Sequence, residues 1–482
     1  MNEFNMTLSI VAPAIVLSVA GFVIVLINLF FKSKNRWLYL ILAFGGLILS
    51  VLLILKLWNV QQQAFAGMIV ADNFGLIFNF IFILGAGLSI LLAMNQHEGG
   101  YLLYPEFFAV ALFATVGMIL MAMGTNLLTI FLGLETLSIS LYVLAAFKRT
   151  EAYSLEAAFK YFLLGAFASG FLLYGIAMLY GATGSFDLHQ ISNFLATNSI
   201  LDEPLILLGG LLIIVGFGFK IAMAPFHMWT PDVYQGAPTP IAAFMSTGSK
   251  AAGFVALMRV LFASADGTVS DWTTILWVLS VLTMFVGNIS AIVQTNVKRM
   301  LAYSSIAHAG YILVGIVAWN ELGTSSVVFY LLTYTFMNIG AFGMISFLSS
   351  REKEYLEFDD FKGLAFQRPL AAVVMAVFMF SLAGIPPTAG FMGKFYLFSA
   401  AVKANQVPLV ILGVINSMIS LYYYLGLVVV MFMKDSAKEK LPTVTSPAVA
   451  FSLLIAVIGT LGLGLFPSRL MELFQVAVSQ IM

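Results

Sequence analysis

Apolar residues fill the chain in runs of eighteen or more, separated by short polar or Gly/Pro-rich punctuation. At about 1.5 Å per residue, such a run crosses a hydrocarbon core of roughly 30 Å as a helix. Divided at the punctuation, the runs predict helices near 7–30, 37–57, 74–94, 105–124, 126–147, 156–180 and 205–226. Seven more follow near 240–263, 273–294, 300–319, 324–350, 369–402, 406–433 and 447–466. The predicted fold class is all-α, a polytopic membrane protein of about fourteen transmembrane helices. The longest polar interval, Arg351 to Arg368, is too short to bury a core of its own, so residues 1–482 read as one membrane domain.

Two stretches interrupt the helical pattern. Four of the fourteen prolines cluster between Pro225 and Pro240. Ala383-Gly384-Ile385-Pro386-Pro387 divides an apolar stretch that would otherwise run about 51 Å as a helix. Both predict discontinuous helices, near 205–238 and 369–402. Backbone that leaves the helix at membrane depth must be satisfied by protein or a polar cavity, so such breaks point to an ion pathway. The same stretches also read as an internal repeat. Gly216-Phe217-Gly218-Phe219-Lys220 and Gly390-Phe391-Met392-Gly393-Lys394 share G-F-x-x-K at an offset of 174, Phe159 and Gly170 match Phe329 and Gly340 at 170, and Tyr142-Val143-Leu144 matches Tyr311-Ile312-Leu313 at 169. The pattern predicts three N-terminal helices (7–94), a five-helix unit (105–263), a second five-helix unit (273–433) and a last helix (447–466). Five spans is an odd number, so the two units are inverted in the membrane.

Charge then orients the spans. Fifteen of the 22 basic residues fall in five alternate connections: Lys32, Lys34, Arg36; Lys148, Arg149, Lys160; Lys298, Arg299; Arg351, Lys353, Lys362, Arg368; Lys434, Lys438, Lys440. The other side has only Lys56, Lys403 and Arg469, with acidic loops carrying Asp187, Asp202, Glu203, Asp266 and Asp271. The bias puts the basic side in the cytoplasm and both termini outside. The acidic start, Met1 to Met6, and the lack of a small-residue cleavage site make the first run a retained helix.

Composition narrows the chemistry. With 61% hydrophobic and 9% charged residues, zero net charge and no basic stripe, a nucleic-acid partner is excluded and the lipid bilayer is the surrounding medium. Zero cysteines and four histidines (His97, His189, His227, His308) exclude thiolate-held zinc, iron–sulfur clusters and dithiol redox chemistry. No strand is predicted, so no dinucleotide fingerprint can follow one.

Four charged residues sit well inside the apolar runs: Glu135, Lys220, Lys250 and Lys394. A charge there costs roughly 2.5–3.5 kcal/mol to insert. A packing ion pair accounts for one such residue and does not account for four. Burial favours the neutral forms of a Glu and a Lys, while proximity of the two favours both charged forms. At about 4 Å and an effective dielectric near 20 the attraction is about 4 kcal/mol. Moving Glu135 relative to Lys220 is therefore a workable way to move a proton. Lys250, among the small residues of Ser246-Thr247-Gly248-Ser249, reads as a relay. Lys394, with no acid near it in sequence and placed as the counterpart of Lys220, reads as the outward gate. His308 is a candidate relay between Lys250 and Lys394, whereas His227 reads as orienting the first break and Asp232 as capping or pairing within it. Arg259 reads as an anchor that snorkels to the surface, and Tyr422-Tyr423-Tyr424 as packing or interfacial belt.

The run Phe219-Lys220-Ile-Ala-Met-Ala-Pro-Phe-His-Met-Trp-Thr-Pro-Asp-Val-Tyr-Gln-Gly-Ala-Pro-Thr-Pro, followed by Ser249-Lys250, resembles the signature of the antiporter-like subunits of complex I and the Mrp cation/proton antiporters. Within that family, the stretch from Tyr161 to Ser185 is similar to the subunit N branch of bacterial NADH:quinone oxidoreductase. Lysine at 394 departs from the subunit M pattern, and the absence of a long extension after the last helix departs from subunit L. The resemblance spans essentially the whole chain and implies a proton path through Glu135, Lys220, Lys250 and Lys394. It further implies a prokaryotic plasma membrane location and quinone reduction elsewhere in a complex, driving protons from the cytoplasmic to the outer side. NADH, FMN, Fe–S clusters and quinone are then expected on partner subunits, with no cofactor in this chain. Those partners are hydrophilic redox subunits and further antiporter-like membrane subunits. An Mrp-type Na⁺/H⁺ antiporter subunit is the nearest alternative. A solute transporter would need substrate-binding groups where the breaks hold mainly Gly, Pro and Lys, and a scaffold would not carry four intramembrane charges.

Overall fold

The computed structural model describes residues 3–31, 35–94, 104–196, 198, 203–262, 265–349, 354–435, 446–479 and 481, without the side chains of 3–6 and 265–271. Lys32, Lys34, His97, Asp202, Arg351, Lys353, Lys438, Lys440 and the side chains of Asp266 and Asp271 lie outside the described residues.

The chain runs through α1 (Glu3–Phe31), α2 (Arg36–Leu57), a hairpin of β1 (Gln62–Ala64) and β2 (Ile69–Ala71), α3 (Asn73–Ala93), α4 (Pro105–Met123), α5 (Leu127–Ala145) and α6 (Ala152–Thr183). It continues with α7 (Leu188–Leu195), α8 (Pro204–Ile221), α9 (Trp229–Gly236), α10 (Thr239–Phe244), a π-turn at Met245–Ser249, α11 (Lys250–Phe262), α12 (Ala265–Ile292), α13 (Val297–Val317) and α14 (Glu321–Leu348). After a short 3₁₀ turn come α15 (Leu364–Gln367), α16 (Pro369–Ala383), α17 (Ala389–Lys403), α18 (Val407–Met433), α19 (Pro447–Leu465) and α20 (Ser468–Val478). Among the described residues, 13 helical segments are long and apolar enough to cross a membrane, α10 to α11 counting as one; the shorter apolar α16 joins α17 across the second break as a fourteenth span.

Burial sorts the spans into layers. α3, α10–α11, α13 and α14 are enclosed, whereas α1, α2, α6, α12, α18 and α19 turn apolar faces outward. This inverts the pattern of a water-soluble bundle, because lipid satisfies an outward Phe or Leu and the polar side chains collect inside.

Both predicted breaks are present. α8 ends at Ile221 with Ala222 in the left-handed region (φ 61°), and α16 ends at Ala383 with Gly384 at φ +86°. Their freed backbone groups find partners: Met223 N–H donates to Gly218 O (2.8 Å), Ala224 N–H to the Thr283 hydroxyl (3.0 Å), and Ile385 N–H to Phe380 O (2.9 Å). Lys220 lies on the helix before its break and Lys394 on the helix after its own. The two lysines therefore do not occupy equivalent places relative to the breaks, and the G-F-x-x-K match does not superpose the elements.

Several elements were not foreseen. The hairpin between α2 and α3 is a strand pair in a chain with none predicted, and its tight path is set by positive φ at Asn59, Gln61, Phe65, Ala66 and Gly67. α7 and α20 are short amphipathic helices at the edge of the bundle. The π-turn immediately before Lys250 interrupts what the hydrophobic pattern read as one continuous helix.

Candidate functional site

The intramembrane charges line up along the inner helices. Glu135, half-buried midway along α5, accepts a short hydrogen bond from the Ser169 hydroxyl of α6. One turn on, the Ser138 hydroxyl accepts from Lys220 Nζ at 3.0 Å. No direct ion pair joins Glu135 to Lys220; Ser138, Ser169 and Tyr142 instead line a small cleft between α5, α6 and α8 that also holds Lys220. The Lys220 side chain is packed against Gly253 of α11, where an added Cβ would come 3.2 Å from Lys220 Cγ and 2.8 Å from Ile221 Cγ2. Tyr161 supports the same site: its ring centroid is 6.0 Å from Lys220 Nζ and stacks on Trp229 at 4.5 Å. Trp229 in turn donates from Nε1 to Phe219 O at 3.0 Å, tying α9 back to the end of α8.

Lys250 is the first residue of α11, and the π-turn sets its direction. Its ammonium donates to both the carbonyl and the hydroxyl oxygen of Ser305 on α13, the latter at 2.6 Å. The π-turn is itself held from α14, where Asn338 Nδ2 donates to Ser246 Oγ (2.6 Å) and Tyr334 Oη (3.0 Å).

From Ser305 onward, α13 presents one face at helical spacing: Ser304, Ser305, His308 and Tyr311. His308 contacts two phenols, Tyr330 Oη from Nδ1 at 2.6 Å and Tyr424 Oη from Nε2 at 3.0 Å, and Tyr424 also shares a short bond with Ser304 Oγ. A neutral imidazole has one N–H and one lone-pair nitrogen, so one phenol must donate to it and the other accept from it. Switching tautomer reverses both roles, which is the elementary step of a proton relay. The ring of Tyr311, 5.7 Å from the His308 ring, lies 4.7 Å from Lys394 Nζ. Lys394 reaches back across its break to donate to Leu382 O (3.2 Å), Ala383 O (3.0 Å) and Ser417 Oγ (3.0 Å). Its cation thus sits on the carbonyl end of α16, where the helix dipole favours positive charge.

Lys220, Lys250, His308 and Lys394 are each 4% exposed or less, and among the described residues no carboxylate lies within ion-pair distance of any of them. Enclosing an ammonium without a counter-ion costs several kcal/mol. Their protonation is therefore sensitive to any charge that moves nearby.

The remaining residues singled out from sequence fall elsewhere. Asp232 does pair, but outside its own loop: Lys160 of α6 and Arg299 of α13 each reach it at 2.7 Å. His227 lies in the first break with Nδ1 buried and unpartnered. Arg259 does not snorkel. It is buried and makes two hydrogen bonds to Asp72, at 2.8 and 3.0 Å, because the α3 N-terminus brings an acid within reach. Tyr422 is exposed, as a belt residue would be, but Tyr423 and Tyr424 are buried in the polar core. Sequence reasoning missed Ser138, Ser305, Tyr311, Tyr330 and Tyr424, whose signal was only polar residues recurring on one face of an apolar helix.

Known proteins resemble this chain along its length. Residues 124–420 match the family described as NADH:quinone oxidoreductase/Mrp antiporter, TM. NADH-quinone oxidoreductase subunit N of Trichlorobacter lovleyi is 48% identical over 478 residues, covering 99% of this chain and 98% of that protein. A chain of respiratory complex I from Thermus thermophilus superposes with a TM-score of 0.81 at 36% identity, covering 95% of this chain and 98% of that one. A chain of the Mrp complex from Dietzia sp. DQ12-45-1b gives a TM-score of 0.84 at 22% identity, covering 100% and 98%, a likeness of fold alone.

Proposed function

Because the chain belongs to the subunit N family of NADH:quinone oxidoreductase, the proton-translocating antiporter-like membrane subunits of complex I, we propose that its protons travel by way of Glu135, Lys220, Lys250, His308 and Lys394. The observation that carries this reading is the face of α13: Ser305 holds Lys250, His308 is bracketed by two phenols, and Tyr311 abuts Lys394. Each residue contributes one elementary step. Glu135 biases the charge of Lys220 through the serine-lined cleft, Lys220 packs on Gly253 one turn beyond Lys250 on α11 and hands its proton toward it, His308 relays by tautomer exchange, and Lys394 releases at the second break. Water must complete the segments where no side-chain hydrogen bond bridges, as between Ser305 and His308.

Quinone reduction on other subunits supplies the driving force, and the cofactors NADH, FMN, Fe–S clusters and quinone reside there. Hydrophilic redox subunits and further antiporter-like membrane subunits are the partners. The basic connections face the cytoplasm, both termini face outward, and the membrane is the bacterial plasma membrane. Two inverted five-helix units, 105–263 and 273–433, frame the path. In support, Asn126 caps α5 and bridges to Asp187 while Asn296 caps α13 and bridges to Glu357, both pairs separated by the offset of 170 seen in sequence. The test is NADH-driven proton uptake by liposomes containing the whole complex. Lys250→Ala and His308→Ala are expected to cut protons moved per NADH; unchanged coupling in assembled His308→Ala complex removes the relay from the path.

A further inference from the structure

The path just described leaves unused a built, buried charged site at the side of the bundle where α3 begins and α4 and α11 end. The Asp72 carboxylate caps α3, accepting from Gly75 N–H at 2.7 Å, and receives Arg259 Nη2 at 2.8 Å and Nη1 at 3.0 Å. Arg259 Nε donates a short bond to Ala122 O in the last turn of α4, and the guanidinium lies 5.4 Å from the Phe74 ring centroid. Both side chains are 8% exposed. The fit is tight: a Cβ on Gly75 would come 2.8 Å from Arg259 Nη2 and 2.9 Å from Ala122 O.

One turn deeper on the same face of α3 lies Asn79, fully buried, with neither its amide nitrogen nor its oxygen partnered by protein. Further along α3, a Cβ added at Gly85 would come 3.6 Å from Thr247 Oγ1, in the π-turn that aims Lys250. α3 therefore runs from the turn carrying Lys250, past an unsatisfied carboxamide, to the Arg259–Asp72 pair. A buried amide left bare is unfavourable, and a bound water relieves it. A water at Asn79 would thus supply one polar step between the π-turn that precedes Lys250 and the pair, and the column ends on a fixed cation.

Resting on the proton-translocation reading above, we propose that Arg259, positioned by Asp72, is a proton barrier that closes this column and directs protons from Lys250 along α13 toward Lys394. Arginine suits the task. It stays protonated, all three of its donor nitrogens are committed here, and a fixed positive charge repels an excess proton in a narrow polar passage.

The test is passive proton flux per assembled complex, in liposomes containing the whole complex under an imposed pH gradient without NADH. Arg259→Gln is expected to leak several-fold more than wild type, Asp72→Asn less than Arg259→Gln, and Arg259→Lys to restore a low flux. A purely structural pair would lower the yield of complex while leaving flux per complex unchanged, and that result overturns the proposal. If Arg259→Gln does not assemble, Gly75→Ala displaces the guanidinium without deleting it and must leak. Wild-type flux there, or failure of both variants to assemble, makes the pair a folding element and ends the barrier reading. Because no NADH is present, a leak through Arg259→Gln stands or falls separately from the lysine path.

Discussion

Tyr424→Phe removes one oxygen and tests the relay without touching a lysine. That oxygen bonds both His308 Nε2 and Ser304 Oγ, all fully buried between α13 and α18. Deleting it strands two polar groups, and each group left bare costs about 1–3 kcal/mol. The ring itself stays, so packing is conserved. If one such cost, ~1.4–2.8 kcal/mol, enters the barrier for proton transfer, the pumping step slows by about 10- to 100-fold. The assay is the rate of NADH-driven proton uptake, together with the number of protons moved per NADH, in liposomes at matched content of assembled complex. Tyr422→Phe, on an exposed residue of the same run, is the control. Coupled pumping by Tyr424→Phe at the wild-type stoichiometry and rate would refute the reasoning, because His308 would then lack one of its two proton partners without consequence.

Other perturbations probe separate links. Gly253→Val inserts atoms where even a Cβ meets Ile221 at 2.8 Å and the Lys220 stem at 3.2 Å, so pumping is expected to fall more steeply than the yield of complex, measured by uptake per assembled complex. Ser305→Ala removes the hydroxyl acceptor of Lys250 but keeps the carbonyl, and should slow pumping less than Lys250→Ala does in the same assay. Glu354 joins Lys148, in the connection after α5, to Lys298 of α13; burial would raise its carboxyl, but the two lysines hold it below its ordinary value. With the folded value depressed, this tie is fully present above the usual carboxylate range near pH ~4.3 and is lost as pH falls through the lower folded value. Protection from hydrogen exchange at residues 354–363, taken relative to the intrinsic rate at each pH, should therefore fall in acid, and Glu354→Gln should show the lower protection already at neutral pH.

The spans were legible because each is a long apolar run, and the breaks because proline and glycine cannot continue a helix there. Glu135, Lys220, Lys250 and Lys394 stood out by the cost of placing charge in an apolar segment. What escaped notice lacks that cost. Ser138, Ser305 and Tyr424 are neutral, and their partners are set by packing between helices far apart in sequence. Arg259 and Asp72, 187 residues apart, meet only because α3 begins on the side where α11 ends. The π-turn before Lys250 has no periodicity signature, since one extra residue per turn over five residues is invisible in a helix buried on every side. The shared G-F-x-x-K of Lys220 and Lys394 misled on register, because three matching letters carry no information on which side of a break the helix resumes.

The central claim is that the enclosed lysines carry the protons. It is tested most directly by NADH-driven proton uptake in liposomes containing the whole complex, comparing wild type, Lys220→Ala, Lys394→Ala and the exposed Lys434→Ala at matched assembly. The account predicts that both buried substitutions abolish coupled uptake while Lys434→Ala pumps as wild type. Normal pumping by assembled complex lacking either buried lysine would contradict it and make these charges structural.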